Sequence, residues 1–421
     1  MKFTVSSLVV LLFYSAIYAQ STIPSSITSN KTLTKAGSPY KLTGKVVVFQ
    51  DVTLTIEPGV VILCDTLSSI EVRGTLTAIG AQRDSIKFKT SGANLTSYFW
   101  QGIKVLGTDQ IPKNQVTMKY VKFSNSKLGI DLDFAYDGPY VFEKCEFSNN
   151  YIVFSDAGAP ETRISETNFL NNGVCLRYCQ FDCIVDRSNF IGNKTGIDGW
   201  KKTTNCYFTD NELAMRPYGI ATNNIIVNNV IGAEVGQNAV NKIFTNNVVE
   251  NNQKGINASG FMNFQGTQFF DNQICNNTDY DIKWTSNRNA NIMNNCWCSQ
   301  DSTNIRSKIL DGHQDNQYGL VKFIPFKTTC NTASSVHSSK TAYKKIRVVN
   351  PFTDNLNIGF ENQTQFTLLL YDLKGQIIFS EMPAQGMSRF SMDHLSPGVY
   401  LYIVEDEFGE VYRGKVTKVN P

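Results

Sequence analysis

An apolar residue followed three positions later by asparagine recurs through the middle of the chain, and such a repeat restricts the fold more than any single residue does. The copies are Phe147 to Asn150, Phe169 to Asn172, Phe190 to Asn193, Phe208 to Asn211, Ile226 to Asn229, Phe244 to Asn247, Phe269 to Asn272 and Ile292 to Asn295; three positions after Phe123 stands Ser126. The mean step is about 21 residues, too short for the helical ankyrin and tetratricopeptide repeats, and a leucine skeleton is missing. Coils of a parallel β-helix fit that length.

Counting from the apolar residue, position plus seven is Ile130, Phe154, Leu176, Ile197, Met215 and Ala233, all apolar; position plus eight is Asp131, Ser155, Arg177, Asp198, Arg216 and Glu234, all polar. An abrupt change between neighbours, kept coil after coil, is strand alternation in register, with the first row inside and the second facing water. The asparagine row is expected at a tight bend, where asparagine tolerates left-handed angles and stacked amides bond from coil to coil. That role is structural.

With 421 residues, two or more units are expected. The net charge of +3, from 39 basic and 36 acidic residues, gives no field strong enough to hold a polyanion, which argues against nucleic acid. Lys2, an apolar run from Leu8 to about Ile17 and Ala19 read as a signal peptide over residues 1–19. The run is shorter than the ~20 residues a bilayer needs, no later stretch approaches that length, and so no transmembrane segment is expected in the mature chain. Ten cysteines follow it, in an exported context where disulfides form.

Ser38 to Ile62, Ile70 to Phe88 and Trp100 to Val105 resemble the opening coils of secreted right-handed parallel β-helix proteins of the pectate-lyase-like superfold. Asn294 to Phe326 resembles their closing segment, with Cys298 where a glycine usually stands. The resemblance implies a right-handed parallel β-helix over residues 38–326, after an N-terminal segment, 20–37. Residues 327–346, rich in serine, threonine and lysine, read as a linker. Residues 347–421 resemble the C-terminal domain that directs proteins to the type IX secretion system of Bacteroidota, through Asn350, Pro351, Asp354, Tyr371, Gly375, Pro397, Gly398, Tyr400, Gly409 and Lys415. Their alternating segments and Gly and Pro turns independently suggest a small antiparallel β-sandwich. The expectation is thus an all-β chain exported through the periplasm to the cell surface or beyond, with the type IX machinery as partner.

The β-helix carries none of the aspartate and histidine signatures of polygalacturonases, and Arg216-Pro217 is only a fragment of the arginine run of pectate lyases. Asp131, Asp133 and Asp137 form the best acidic group for Ca²⁺, set against the plainer reading of a solvated turn. No other cofactor is expected. Arg177, Asp198, Arg216 and Glu234 stand on successive coils about 4.8 Å apart, so Asp198 and Glu234 would be about 9.6 Å apart, at the outer limit for an inverting glycosidase. Asp198 between two arginines is held ionised and makes a poor general acid, which suits a salt-bridge ladder better. Trp200 and Tyr218, with Tyr178, lie beside these charges, and charged groups next to aromatic planes are what a sugar-binding surface offers. Thr53-Leu54-Thr55 and Thr75-Leu76-Thr77 are too few for an ice-binding array.

Cys275 and Cys298 each lie six residues after their apolar marker and should stack on neighbouring coils within disulfide range. Cys145 and Cys206 share a register three coils apart and cannot bond. The other cysteines, Cys175, Cys179 and Cys183 among them, read as small buried hydrophobes. The favoured function is a non-catalytic surface protein, glycan-binding, adhesive or structural; the alternative is a lyase or hydrolase acting on an acidic polysaccharide.

Overall fold

The computed structural model describes residues 21–91, 100–107, 115–134, 138–155, 161–236, 242–259, 267–330, 346–360, 365–372, 376–406 and 411–420. The signal segment, most of the linker (331–345), Asp137, Gly375 and Gly409 lie outside them. The chain divides into two units, Met1–Ala333 and Ser334–Pro421.

The first unit is a parallel β-solenoid of about 11 turns. One face is a twelve-stranded parallel sheet running from Ser21–Thr22 to Gln273–Cys275. Two further series of parallel strands form the other faces, and the long strands Val174–Asp186 and Thr195–Thr204 run across both of them. The first turn already includes Ser26–Ile27 and Lys31–Leu33, so the solenoid begins upstream of Ser38.

Alternation decides what each strand buries. Ile103, Ile130, Phe154, Leu176, Ile197, Met215, Ala233, Ile256, Ile282 and Ile309 stack in one inward row, every member 3 % exposed or less. Beside it Phe123, Phe147, Phe169, Phe190 and Phe208 stack with ring centroids 5.6, 5.7, 4.6 and 4.6 Å apart. Offset aromatic columns of this kind fill a narrow core with large, stiff side chains.

The apolar-x-x-Asn motif marks two corners, not one. Ile226 stacks on Val249 and Ile274, whereas Phe244 stacks on Ala221 and Phe269. The first ladder is therefore Asn150, Asn172, Asn193, Asn211, Asn229, Asn252 and Asn277, at steps of 22, 21, 18, 18, 23 and 25 residues. A second runs through Asn224, Asn247, Asn272 and Asn295. The single list read from the sequence crosses from one corner to the other at Phe244, because both corners use the same motif.

The left-handed conformation and the amide ladder also fall on different residues. Asn149, Asn171, Asn228, Asn251 and Asn276 have φ of 53–58° and lie just before the ladder asparagines. Those following are 3 % exposed or less. Within a ladder each amide accepts from the backbone N–H and the side-chain N–H₂ of the asparagine one turn earlier, and the first members, Asn150 and Asn224, accept from Ser126 and Cys206. The amide donates in turn to the next ladder oxygen and to a carbonyl one or two turns back, as Asn211 does to Asn229 and to Phe190. The motif thus satisfies backbone groups that the bend removes from the sheet.

The second unit has a three-stranded antiparallel sheet, Ile346–Val348, Asn355–Phe360 and Met387–Ser391, and a four-stranded one, Gln365–Tyr371, Ile377–Gln385, Gly398–Asp406 and Val411–Lys418. Leu356, Ile358, Phe366, Leu368, Leu370, Val404 and Val416 form their common core.

Candidate functional site

The outward row next to the inward one is longer than the four residues singled out in the sequence. Glu71, Lys104, Asp131, Ser155, Arg177, Asp198, Arg216, Glu234, Asn257 and Lys283 follow one another on successive turns. Parallel pairing stacks equal positions directly, so opposite charges in adjacent turns meet. Glu71 contacts Lys45 and Arg73; burial works against its charge, yet hydrogen bonds from both hold the carboxyl below its usual range. Arg216 donates through Nη1 to Asp198 Oδ1 at 2.6 Å and through Nε and Nη2 to Glu234 Oε2 at 2.9 and 2.5 Å. Burial disfavours the Arg216 charge, but these bonds outweigh it and raise its pKa. One guanidinium thus joins Asp198 and Glu234, two turns apart.

Asp198 is not shared between two arginines. Arg177 pairs with it in register but is exposed, and among the described residues it makes no ion pair. Beside Arg177, Tyr178 is 48 % exposed and lies next to Gly199, which has φ of +86° and where a β-carbon would stand 3.5 Å from the ring. Tyr218 is half-buried, with the Lys201 ammonium 5.9 Å from its ring centroid. Trp200 does not belong to this surface. It is 1 % exposed and pairs in register with Cys179, because the strand turns inward after Gly199; its indole N–H has no partner among the described residues. The aromatic that faces water is Tyr178, which takes a φ of +49°.

Asp131 is nearly buried, accepts from Ser155 Oγ at 2.9 Å and has Lys104 Nζ at 3.9 Å. It is a rung of the ladder. The Asp133 side chain, like Asp137, lies outside the described residues.

Cys275 and Cys298 are bonded, with Cα atoms 5.9 Å apart. Cys179 and Cys183 are bonded to each other, not lone hydrophobes: they lie four residues apart in the strand Val174–Asp186, where its register shifts, with a Cα separation of 6.1 Å. A third bond joins Cys296 to Cys330, four residues past the closing segment. Cys64, Cys145, Cys175 and Cys206 are buried thiols.

In the second unit Asn350 accepts from the Thr417 N–H at 2.8 Å and donates to the Lys415 carbonyl, tying the start of the unit to its last strand. Tyr400 donates to the Ser396 carbonyl at 2.5 Å across the turn made by Pro397 and Gly398. The Asp354 carbonyl accepts from the Met392 N–H at 2.7 Å. Pro351 lies between Asn350 and Phe352, which bridges to Lys418. The sequence reading missed Lys418 itself. It is 5 % exposed and donates to the carbonyls of Met392 and Leu395, both at 2.8 Å, with the Asp354 carboxylate at 3.8 Å. A lysine among apolar residues at the end of a strand was its only signal.

These motifs agree with the comparison of the chain with known families: residues 350–418 match the secretion system C-terminal sorting domain. Searches of curated proteins and of solved structures returned no match. The chain is a β-solenoid protein with a type IX secretion C-terminal sorting domain, delivered to the cell surface or outside the cell by the type IX machinery. Among the described residues no helix is long and apolar enough to cross a membrane.

Proposed function

We propose that this is a non-catalytic glycan-binding or adhesive protein, a right-handed pectate-lyase-like solenoid that displays the outward row around Arg177 to its target. The domain plan that goes with it is a signal peptide at 1–19, a linker at 327–346 and a sorting domain at 347–421. The observation that carries the reading is the engagement of Arg216 with both Asp198 and Glu234, which leaves the row no spare carboxylate pair while Arg177 and Tyr178 stay open to solvent. Carboxylates that share one guanidinium have oxygens already engaged and are not free to act as an acid and base pair. A guanidinium beside an exposed ring on a rigid sheet binds hydroxyls and sugar faces at low entropic cost.

A glycan array probed with the full chain tests this. Arg177→Ala and Tyr178→Ala should each weaken binding at least tenfold and leave thermal stability almost unchanged, because both side chains are exposed. If the parent binds no glycan, or if both variants bind as well as the parent, the row is not the binding face.

A further inference from the structure

We propose that Glu250, Cys275, Cys298 and Cys330 form a redox-gated site for a thiophilic divalent cation of the zinc class, closed when the sulfurs are disulfides and open when they are thiolates. The two bonds at this end of the solenoid are in contact: the Cys330 sulfur lies 3.6 Å from that of Cys298. The ligand atoms of Glu250, Cys275 and Cys298 all lie within 4.8 Å of one another. A zinc ion with four ligands and Zn–S of about 2.3 Å sets its sulfurs about 3.8 Å apart, so Cys298 and Cys330 already stand at ligand spacing. Cys275 and Cys298 reach it once the bond between them is gone.

The scaffold suits a metal centre. Glu250 and Cys275 are paired in register on adjacent turns, and the Cys275 sulfur is 3.6 Å from Glu250 Oε2. Gln273 Nε2 donates to that same oxygen at 2.9 Å, an outer hydrogen bond of the kind that orients a ligating carboxylate. Cys298 has φ of +53°, a conformation in which a β-carbon is disfavoured, so the sulfur is kept there against the local preference for glycine. Cys298 is exposed, which gives reductant and metal a route in. Burial pushes the thiols of Cys145 and Cys206 up to about 12 and raises those of Cys64 and Cys175, so these four do not compete as thiolates.

The chemistry balances with a dithiol as reductant. Each protein disulfide takes up two electrons and two protons from one dithiol, which closes to its own cyclic disulfide. Binding of the cation then releases the protons of Cys275, Cys298 and Cys330 to solvent, while the Cys296 thiol stays outside the ligand set.

The test reduces the full chain with a dithiol, removes the reagent without air and titrates with Co²⁺. One Co²⁺ per chain should bind with sulfur-to-metal charge-transfer bands and the visible bands of a tetrahedral ion, and the oxidised chain should show neither. Cys298→Ser and Glu250→Gln should weaken binding at least tenfold, and Cys175→Ser should not. Far-UV circular dichroism checks the fold, and Glu250→Gln serves where the cysteine variant does not fold. Absence of the bands in the reduced parent, or full retention of them in a folded Cys298→Ser or Glu250→Gln protein, overturns the site and leaves two structural disulfides.

Discussion

At each corner of the solenoid two neighbouring residues divide a task that one residue type suggests. The first takes the left-handed bend and faces water; the second turns its amide inward and bonds along the stack. Asn211→Ala would remove the acceptor of the Asn193 N–H, leave the Asn193 amide only the Phe169 carbonyl, and take a donor from the Phe190 carbonyl, all in a buried place. A loss of about 3 kcal/mol or more is expected, read as a lower denaturant midpoint. The first ladder ends on Asp281, which accepts from the Asn277 amide at 2.8 Å. Burial raises the Asp281 carboxyl from 3.8 to about 6, in spite of the hydrogen bonds from Asn277 and the charge of Lys308. The folded state therefore holds this proton more tightly than the unfolded one. Its contribution is fully present below about pH 4 and is lost as pH rises through 6, an effect of up to about 3 kcal/mol. Asp281→Asn should raise the denaturant midpoint at pH 7 and leave it unchanged at pH 4; equal effects at both pH values would remove the carboxyl as the cause. The ladder was legible in the sequence because amides that bond along a stack must recur at equal positions. The split of roles was not, since Asn-Asn reads the same whichever residue bends.

Strand register was legible wherever coil length stays near the mean and lost where it changes. The inward row from Ile130 to Ala233 and the outward row from Asp131 to Glu234 stand in the positions read from spacing. Beyond Ile226 the spacing follows the other corner, because each turn there carries two apolar-x-x-Asn motifs, Phe244 to Asn247 beside Val249 to Asn252 and Phe269 to Asn272 beside Ile274 to Asn277. Trp200 was misplaced for a related reason. Gly199 and Tyr178 take positive φ, and a single such residue reverses which neighbour faces the core. The close stacking also demands small residues at particular points. Gly102 has φ of +102°, and a β-carbon there would lie 1.4 Å from the Leu128 carbonyl oxygen. Gly102→Ala should cost on the order of 3 kcal/mol or more, seen as loss of soluble folded protein or a large fall in midpoint. By contrast, a double-mutant cycle on Arg216 and Glu234 should give only about 0.2–1 kcal/mol, shrinking in high salt. A larger, salt-independent coupling would mean that the ladder is sealed from water.

For the whole molecule, the sorting domain acts as an address and the solenoid as the delivered body. Each unit has its own hydrophobic core, and truncation before Asn350 removes one core without cutting into the other. The truncated protein should fold, resist proteolysis as the full chain does, and accumulate in the periplasm of its host; normal levels in the medium would contradict the assignment. The address was plain in the sequence because its residues sit in turns and at strand ends with specific backbone roles, whereas a binding face on a solenoid is built from many turns, each contributing one residue. The central claim is that the solenoid binds without cutting. Its most direct measurement incubates the full chain with a panel of acidic and neutral polysaccharides and follows, on the same samples, retention of the protein and release of new reducing or unsaturated ends. The account predicts retention on at least one polysaccharide with no product above the blank. Product formed in proportion to protein concentration, and lost in Arg216→Ala, would show instead that the clamped carboxylates of Asp198 and Glu234 belong to an enzyme.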